Sequence, residues 1–155
     1  MLPEFDENGN LPPGNHNATF REVIERFSAP RSLKRQLLSA SLEGFFDFIK
    51  DHAVRVYIDG SYATAKLAPN DVDLIVVLPE AFSFESQVGH RLAEIINNRR
   101  VNCLHVFPYC LGRHDQYLQN MLAHFARDRQ GNRKGIVCVE VESDQERPSI
   151  AASDS

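Results

Sequence analysis

Gly60-Ser61 and Asp71-Val72-Asp73 are the residues of this chain whose types and spacing suit chemistry. The glycine and serine close a hydrophobic run, Val54-Arg55-Val56-Tyr57-Ile58-Asp59, and the aspartates open another, Asp73-Leu74-Ile75-Val76-Val77-Leu78. Short runs rich in β-branched residues, bounded by Asp, Gly and Pro, read as strands. Side chains alternate along a strand, so Asp71 and Asp73 share a face with their backbones roughly 6.5–7 Å apart. Two carboxylates at that separation suit one or two hard divalent cations. Gly60 lets the backbone approach a phosphate, and Ser61 adds a hydroxyl beside amide donors. A lone Asp-x-Asp is more often a polar turn entering a strand. The strand and Gly-Ser pair ahead of it tip the reading to a metal site.

The elements that must position these groups follow from patterning. Residues 1–16, rich in Pro, Gly and Asn, form an extended N-terminal arm with Phe5 and Leu11 as its apolar anchors. Thr19 and Glu22 have capping-box spacing, which starts a helix that ends near Phe27. A second helix has Pro30 in its first turn and a stripe of Leu33, Leu37, Leu38, Leu42, Phe45, Phe46 and Ile49. Strands over 54–58 and 73–78 flank a short turn through Tyr62–Lys66. A helix is predicted over 84–98, a strand over 101–107 stopped by Pro108, a helix over 114–127 burying Tyr117, Leu118, Met121, Leu122 and Phe125, and a last strand over 135–141. One α/β (α+β) domain over 17–142 results, a small mixed sheet with helices packed on it, followed by a disordered tail over 143–155.

Composition narrows the function classes. A chain of 155 residues, 43% hydrophobic with net charge −4, is a soluble domain with a real core. The negative charge argues against a protein that grips DNA through its phosphates. No apolar stretch reaches bilayer length, so no membrane partner is expected, and the acidic N-terminus (Glu4, Asp6, Glu7) does not read as a signal peptide. Cys103, Cys110 and Cys138 lack CxxC spacing, which suits the reducing cytoplasm; Cys103 and Cys138 sit in apolar patterns as buried thiols. The six histidines show no zinc-ligand spacing. Arg99-Arg100 and the Arg127, Arg129, Arg133, Lys134 cluster suit a polyanion, or simply solvated helix ends.

The segment Tyr57-Ile58-Asp59-Gly60-Ser61-Tyr62-Ala63-Thr64-Ala65-Lys66 with Pro69-Asn70-Asp71-Val72-Asp73-Leu74 resembles the DNA polymerase β-type nucleotidyltransferase superfamily. More narrowly, Leu11-Pro12-Pro13-Gly14, Thr64-x-Lys66, Pro69-Asn70-Asp71 and Lys134-Gly135-Ile136-Val137 are similar to a group of small bacterial nucleotidyltransferase-like proteins. The resemblance implies a minimal nucleotidyltransferase-like fold and Mg²⁺ on Asp71 and Asp73, with a two-metal site within its range. It also implies a nucleoside triphosphate held by Gly60, Ser61 and Lys66, and transfer of a nucleoside monophosphate to a protein or RNA hydroxyl. Relatives of this kind often sit in toxin–antitoxin or phage-defence pairs, which implies a catalytically lapsed module bound to a partner protein as the alternative. Two departures stand out. The strand expected to carry a third carboxylate has none, leaving His105 as its polar residue, and Ala63-Thr64-Ala65 replaces the usual Arg-Gly after the Gly-Ser pair. Glu140 on the last strand is another acid to weigh for the third place.

Overall fold

Alternating apolar patterns fold into strands and helices in a computed structural model that describes residues 1–28 and 32–141. In chain order these are β1 (Gly14–Asn17), α1 (Phe20–Phe27), α2 (Leu33–Ile49), β2 (Arg55–Asp59), a single 3₁₀ turn (Ser61–Ala63), β3 (Val72–Leu78), α3 (Gln87–Asn97), α4 (Arg99–Asn102), β4 (Leu104–Cys110), α5 (Asp115–Phe125) and β5 (Gly135–Glu140). Among the described residues the strands form one sheet ordered β1-β5-β2-β3-β4. β2 runs antiparallel to both β3 and β5, while the outer pairs β1–β5 and β3–β4 are parallel. This is the small α+β architecture that the patterning predicts.

Period-two alternation divides the strands between two cores. Val56, Ile58, Leu74, Val76, Val106, Val137 and Val139 face α1, α2 and α3. Tyr57, Ile75, Val77, Ile136 and Cys138 face Leu118 and Phe125 of α5 on the other side. An eleven-residue helix reaches only about 16 Å along a sheet. Beyond Phe125 that second face is left open, and it is the face that carries Asp59 and Asp73.

Local chemistry sets the helix starts. The Thr19 side chain accepts from the Glu22 amide at 3.1 Å while the Glu22 carboxylate accepts from the Thr19 amide at 2.9 Å, a complete capping box. Ser32 caps α2 by accepting from the Arg35 amide. The expected Pro30 first turn and the 143–155 tail lie outside the described residues.

Three expectations need correction. Leu33 and Leu37 are 70% and 60% exposed, and the buried row of α2 instead runs Arg35, Leu38, Ser39, Leu42, Phe45, Phe46 and Ile49. Residues 101–103 are not strand: α4 holds Val101, and Cys103 ends that helix in the left-handed region at φ 59°. β4 therefore starts at Leu104 and runs through Pro108, which is tolerated because this is an edge strand whose outer side needs no amide donor. Tyr117 is 69% exposed rather than core.

The N-terminal arm is tied down along its length. Leu2 and Leu11 are buried, and Arg26 donates to the carbonyls of Leu2 and Pro3 while its guanidinium lies 4.5 Å from the Phe5 ring centre. Its last residues become β1, in register with β5 from Gly14 opposite Gly135. Gly135 is needed there, because a Cβ would collide with the Pro12 carbonyl oxygen and lie 2.7 Å from the His16 ring. Gly135→Ala should therefore lower stability by about 2 kcal/mol, read as an earlier urea midpoint, and should make the first residues of the chain sensitive to protease.

Candidate functional site

Sheet register gathers the acids. Asp59, the last residue of β2, lies directly opposite Asp73 on β3, and Asp73 is in turn level with His105 on β4. Asp71 lies one pleat before Asp73 and shares its face. Asp59 brings a third carboxylate beside this pair. It comes from the strand before the Gly-Ser turn rather than from the strand after the aspartate pair. Glu140 is not that group: it sits opposite Arg55 at the other end of β2 and pairs with it at 2.9 Å.

The chain leaves Asp59 through Gly60, at φ 81°, into the 3₁₀ turn. Any side chain at 60 would be strained there, and its Cβ would stand 2.6 Å from Asp73 Oδ2. The turn is thus pressed against the acid. Tyr62 anchors it from below, fully buried with its hydroxyl 2.6 Å from Ser39 Oγ. Arg35 reaches up from α2 and donates to the carbonyls of Ser61, Tyr62, Thr64 and Lys66.

Each carboxylate faces a basic group. Lys134 Nζ, with its side chain 9% exposed, is 3.0 Å from Asp59 Oδ1; Arg99 Nη2 is 3.1 Å from Asp71 Oδ2; His105 Nδ1 is 3.4 Å from Asp73 Oδ1. These contacts differ in weight. The Arg99 pair is exposed at a level where ion pairs contribute about 0–1 kcal/mol. The Lys134 pair is buried, and breaking one half of such a pair costs about 3–5 kcal/mol. Lys134 meets Asp59 Oδ1 as an ion pair at 3.0 Å, and that buried oxygen has no other hydrogen-bond partner among the described residues. Burial pushes the Asp59 carboxyl up to about 6, against the opposing pull of Lys134. Burial and then the Asp71 charge raise Asp73 as well, opposed by His105, Lys134 and Arg99. Burial also pushes the Cys138 thiol up to about 12, which fits a structural thiol rather than a nucleophile.

A cleft of about 520 Å³ opens over this group, with Asp59, Asp71, Asp73, Gly60, Ser61 and Lys134 among its lining. Lys66, Arg127 and Arg129 put positive charge around the acidic floor. The arm supplies a wall through Asn8 and Asn10, and the Asn10 amide donates to Asp128 at 3.0 Å to join arm and loop. Of the residues singled out by sequence, Gly60, Ser61, Lys66, Asp71 and Asp73 meet in this cleft, and His105 touches Asp73 from the edge strand. Asp59 and the arm asparagines were missed as site residues, and Lys134 was weighed only as one of a basic cluster suited to a polyanion. Alternation from Tyr57 was the available signal for Asp59.

The donor set suits a hard divalent cation, which takes carboxylate oxygens and fills its remaining positions with water and phosphate. With the side chains as they stand, no three His, Cys, Asp or Glu converge into a metal-holding group among the described residues. Asp71 and Asp73, whose partners are weak, are the carboxylates free to turn to a cation, while Lys134 secures Asp59.

Residues 3–140 match the model of a family described as "Family of unknown function (DUF6932)", and the chain belongs to that family. No curated protein and no solved structure matches it.

Two measurements check these electrostatics. Asp59→Asn should destabilise by about 3 kcal/mol because it strands the Lys134 ammonium, and Lys134→Met by a similar amount, with the double variant well short of the sum. A carboxyl-carbon titration should place Asp59 near 6. Its folded value lies above the unfolded one, so the fold holds the extra proton. This group's contribution to stability must then grow as pH falls from about 6 towards 4, and fade as pH rises through that window.

Proposed function

We propose that the cleft binds a nucleoside triphosphate with Mg²⁺ and transfers its nucleoside monophosphate to a hydroxyl of a protein or an RNA. One observation carries the reading: the Gly60-Ser61 turn, a phosphate-type donor, passes beside the Asp73 carboxylate, a cation-type acceptor, so closely that a Cβ at 60 would stand 2.6 Å from Oδ2. A metal-bound nucleotide needs both at once. The likeness to the polymerase β-type nucleotidyltransferases supports the same assignment. The absence of a helix long and apolar enough to cross a membrane among the described residues, together with free cysteines, fits a cytoplasmic setting.

Asp71 and Asp73 would hold the Mg²⁺, which would neutralise phosphate charge and make the acceptor hydroxyl more acidic. The chain's own groups do the rest. Lys66, Arg127 and Arg129 draw the polyanion into the cleft, and Ser61 donates its hydroxyl to a phosphate oxygen. Lys134 offsets charge on the side of Asp59. His105, whose Nδ1 lies 3.4 Å from Asp73 Oδ1, serves in its neutral form as the base that accepts the proton of the acceptor hydroxyl. A bond forms from the acceptor oxygen to the α-phosphorus as the bond to pyrophosphate breaks, and pyrophosphate leaves with the bonding electron pair.

A second reading has its own support. Lys134, Arg99 and His105 already counter the three carboxylates, as they would in a lapsed module that uses this fold to bind a partner protein.

Incubation with Mg²⁺ and α-labelled nucleoside triphosphates, in the presence of RNA or cell protein, separates the two. The transferase reading expects a labelled acceptor, with Asp71→Asn and Asp73→Asn each reducing the rate about 100-fold or more while the fold survives. Absence of labelling by wild type and variants alike, with the same protein retained by all, gives the result to the binding module.

A further inference from the structure

Packing alone does not explain Arg35. It lies 3% exposed inside α2, on the apolar stripe where the helix meets the core. Burial pulls its pKa down, which is the signature of a charge held against desolvation. Buried arginines ordinarily meet a carboxylate. Here every hydrogen-bond partner among the described residues is a backbone carbonyl: Phe27 at 3.0 Å, Tyr62 at 2.8 Å, Thr64 at 2.6 Å, Lys66 at 2.9 Å through Nε, and Ser61 at 3.4 Å. The guanidinium is solvated by dipoles, and no carboxylate pairs with it among the described residues.

Four of those five carbonyls belong to the turn that follows Gly60. In a trans peptide the carbonyl and the next amide point in opposite directions. Gathering the Ser61, Tyr62, Thr64 and Lys66 oxygens on one side turns the amides of Tyr62, Ala63, Ala65 and Leu67 away from Arg35. Two of these are already committed, Ala63 to the Gly60 carbonyl and Ala65 to Gly9 of the arm. One side chain therefore sets the course of the whole segment 61–66. A lysine cannot replace it, because three donors from a single nitrogen cannot span carbonyls spread along six residues.

We propose that Arg35 is the positioning residue of the phosphate-binding turn: it clamps the 61–66 carbonyls and sets its positive charge behind the anion that the cleft takes. This rests on the nucleotide reading of the site and adds a property that the reading alone lacks. Affinity should depend on Arg35 in proportion to the number of phosphates, because a charge behind the turn acts on ligand charge rather than on base or sugar.

The test is calorimetric titration of wild type, Arg35→Gln and Leu42→Ala. The ligands are the best bound of the four Mg-nucleoside triphosphates and its own monophosphate. Leu42 is a buried α2 residue about two helical turns beyond Arg35, so Leu42→Ala reports general loosening of the helix. Arg35→Gln removes the charge and should weaken the triphosphate about tenfold or more and the monophosphate only about twofold, whereas Leu42→Ala leaves their ratio unchanged. Equal weakening of both ligands in Arg35→Gln, or none, overturns the proposal and leaves Arg35 a structural plug. Failure of the wild type to bind any of the four triphosphates overturns the nucleotide reading itself, and this inference with it. Wild type alone gives an independent check should the glutamine variant not fold. The Arg35 Nε–H resonance should shift on saturation with triphosphate and hold still with monophosphate; the same response to both counts against the proposal.

Discussion

Two carboxylates placed opposite each other on neighbouring strands are the constraint on which this molecule turns. Asp59 and Asp73 face one another across β2 and β3, an arrangement in which like charges repel. The fold keeps it by setting the Lys134 ammonium against Asp59 and the His105 imidazole against Asp73. Each of those partners comes from a different strand or strand entry, so closing the sheet is what completes the site. The same register leaves no room for a side chain at Gly60, which presses the following turn onto the acids.

Two further devices keep the pair accessible. α5 stops at Phe125, so the sheet face that it covers is open just where the acids lie. The N-terminal arm and the 126–134 loop then wall the opening, joined by Asn10 and Asp128, whose carboxylate also accepts from the Asn132 and Gln130 amides. The arm is thus both the edge strand of the sheet and a side of the cleft. It is the least domain-like part of the sequence, yet its Leu2 and Leu11 fill the core while its Asn8 and Asn10 line the cleft.

The main elements were legible in the sequence because their signals are local. Thr19 and Glu22 announce α1, β-branched runs announce β2, β3 and β5, and Asp-x-Asp with Gly-Ser points to the cleft. What escaped depends on distant partners. Asp59 reads as the polar end of a strand until register sets it beside Asp73. Lys134 reads as one of four surface cations until β5 carries it under the acids. The α2 stripe was misjudged because Leu33 and Leu37 outweigh Arg35 in hydrophobicity, although 35, 38, 39, 42, 45, 46 and 49 keep the better helical period. Residues 101–103 are apolar enough for a strand, but the left-handed turn at Cys103 is needed to bring His105 level with Asp73.

Under the proposed function, Asp71, Asp73 and the glycine turn hold a cation-bound nucleotide between them. Paramagnetic broadening by Mn²⁺, used in place of Mg²⁺ with a saturating nucleoside triphosphate, tests it most directly. The amide signals of Gly60, Ser61, Asp73 and His105 should be lost, with broadening that weakens with distance from the cleft. Broadening centred elsewhere on the chain, or none at nucleotide saturation, would contradict it.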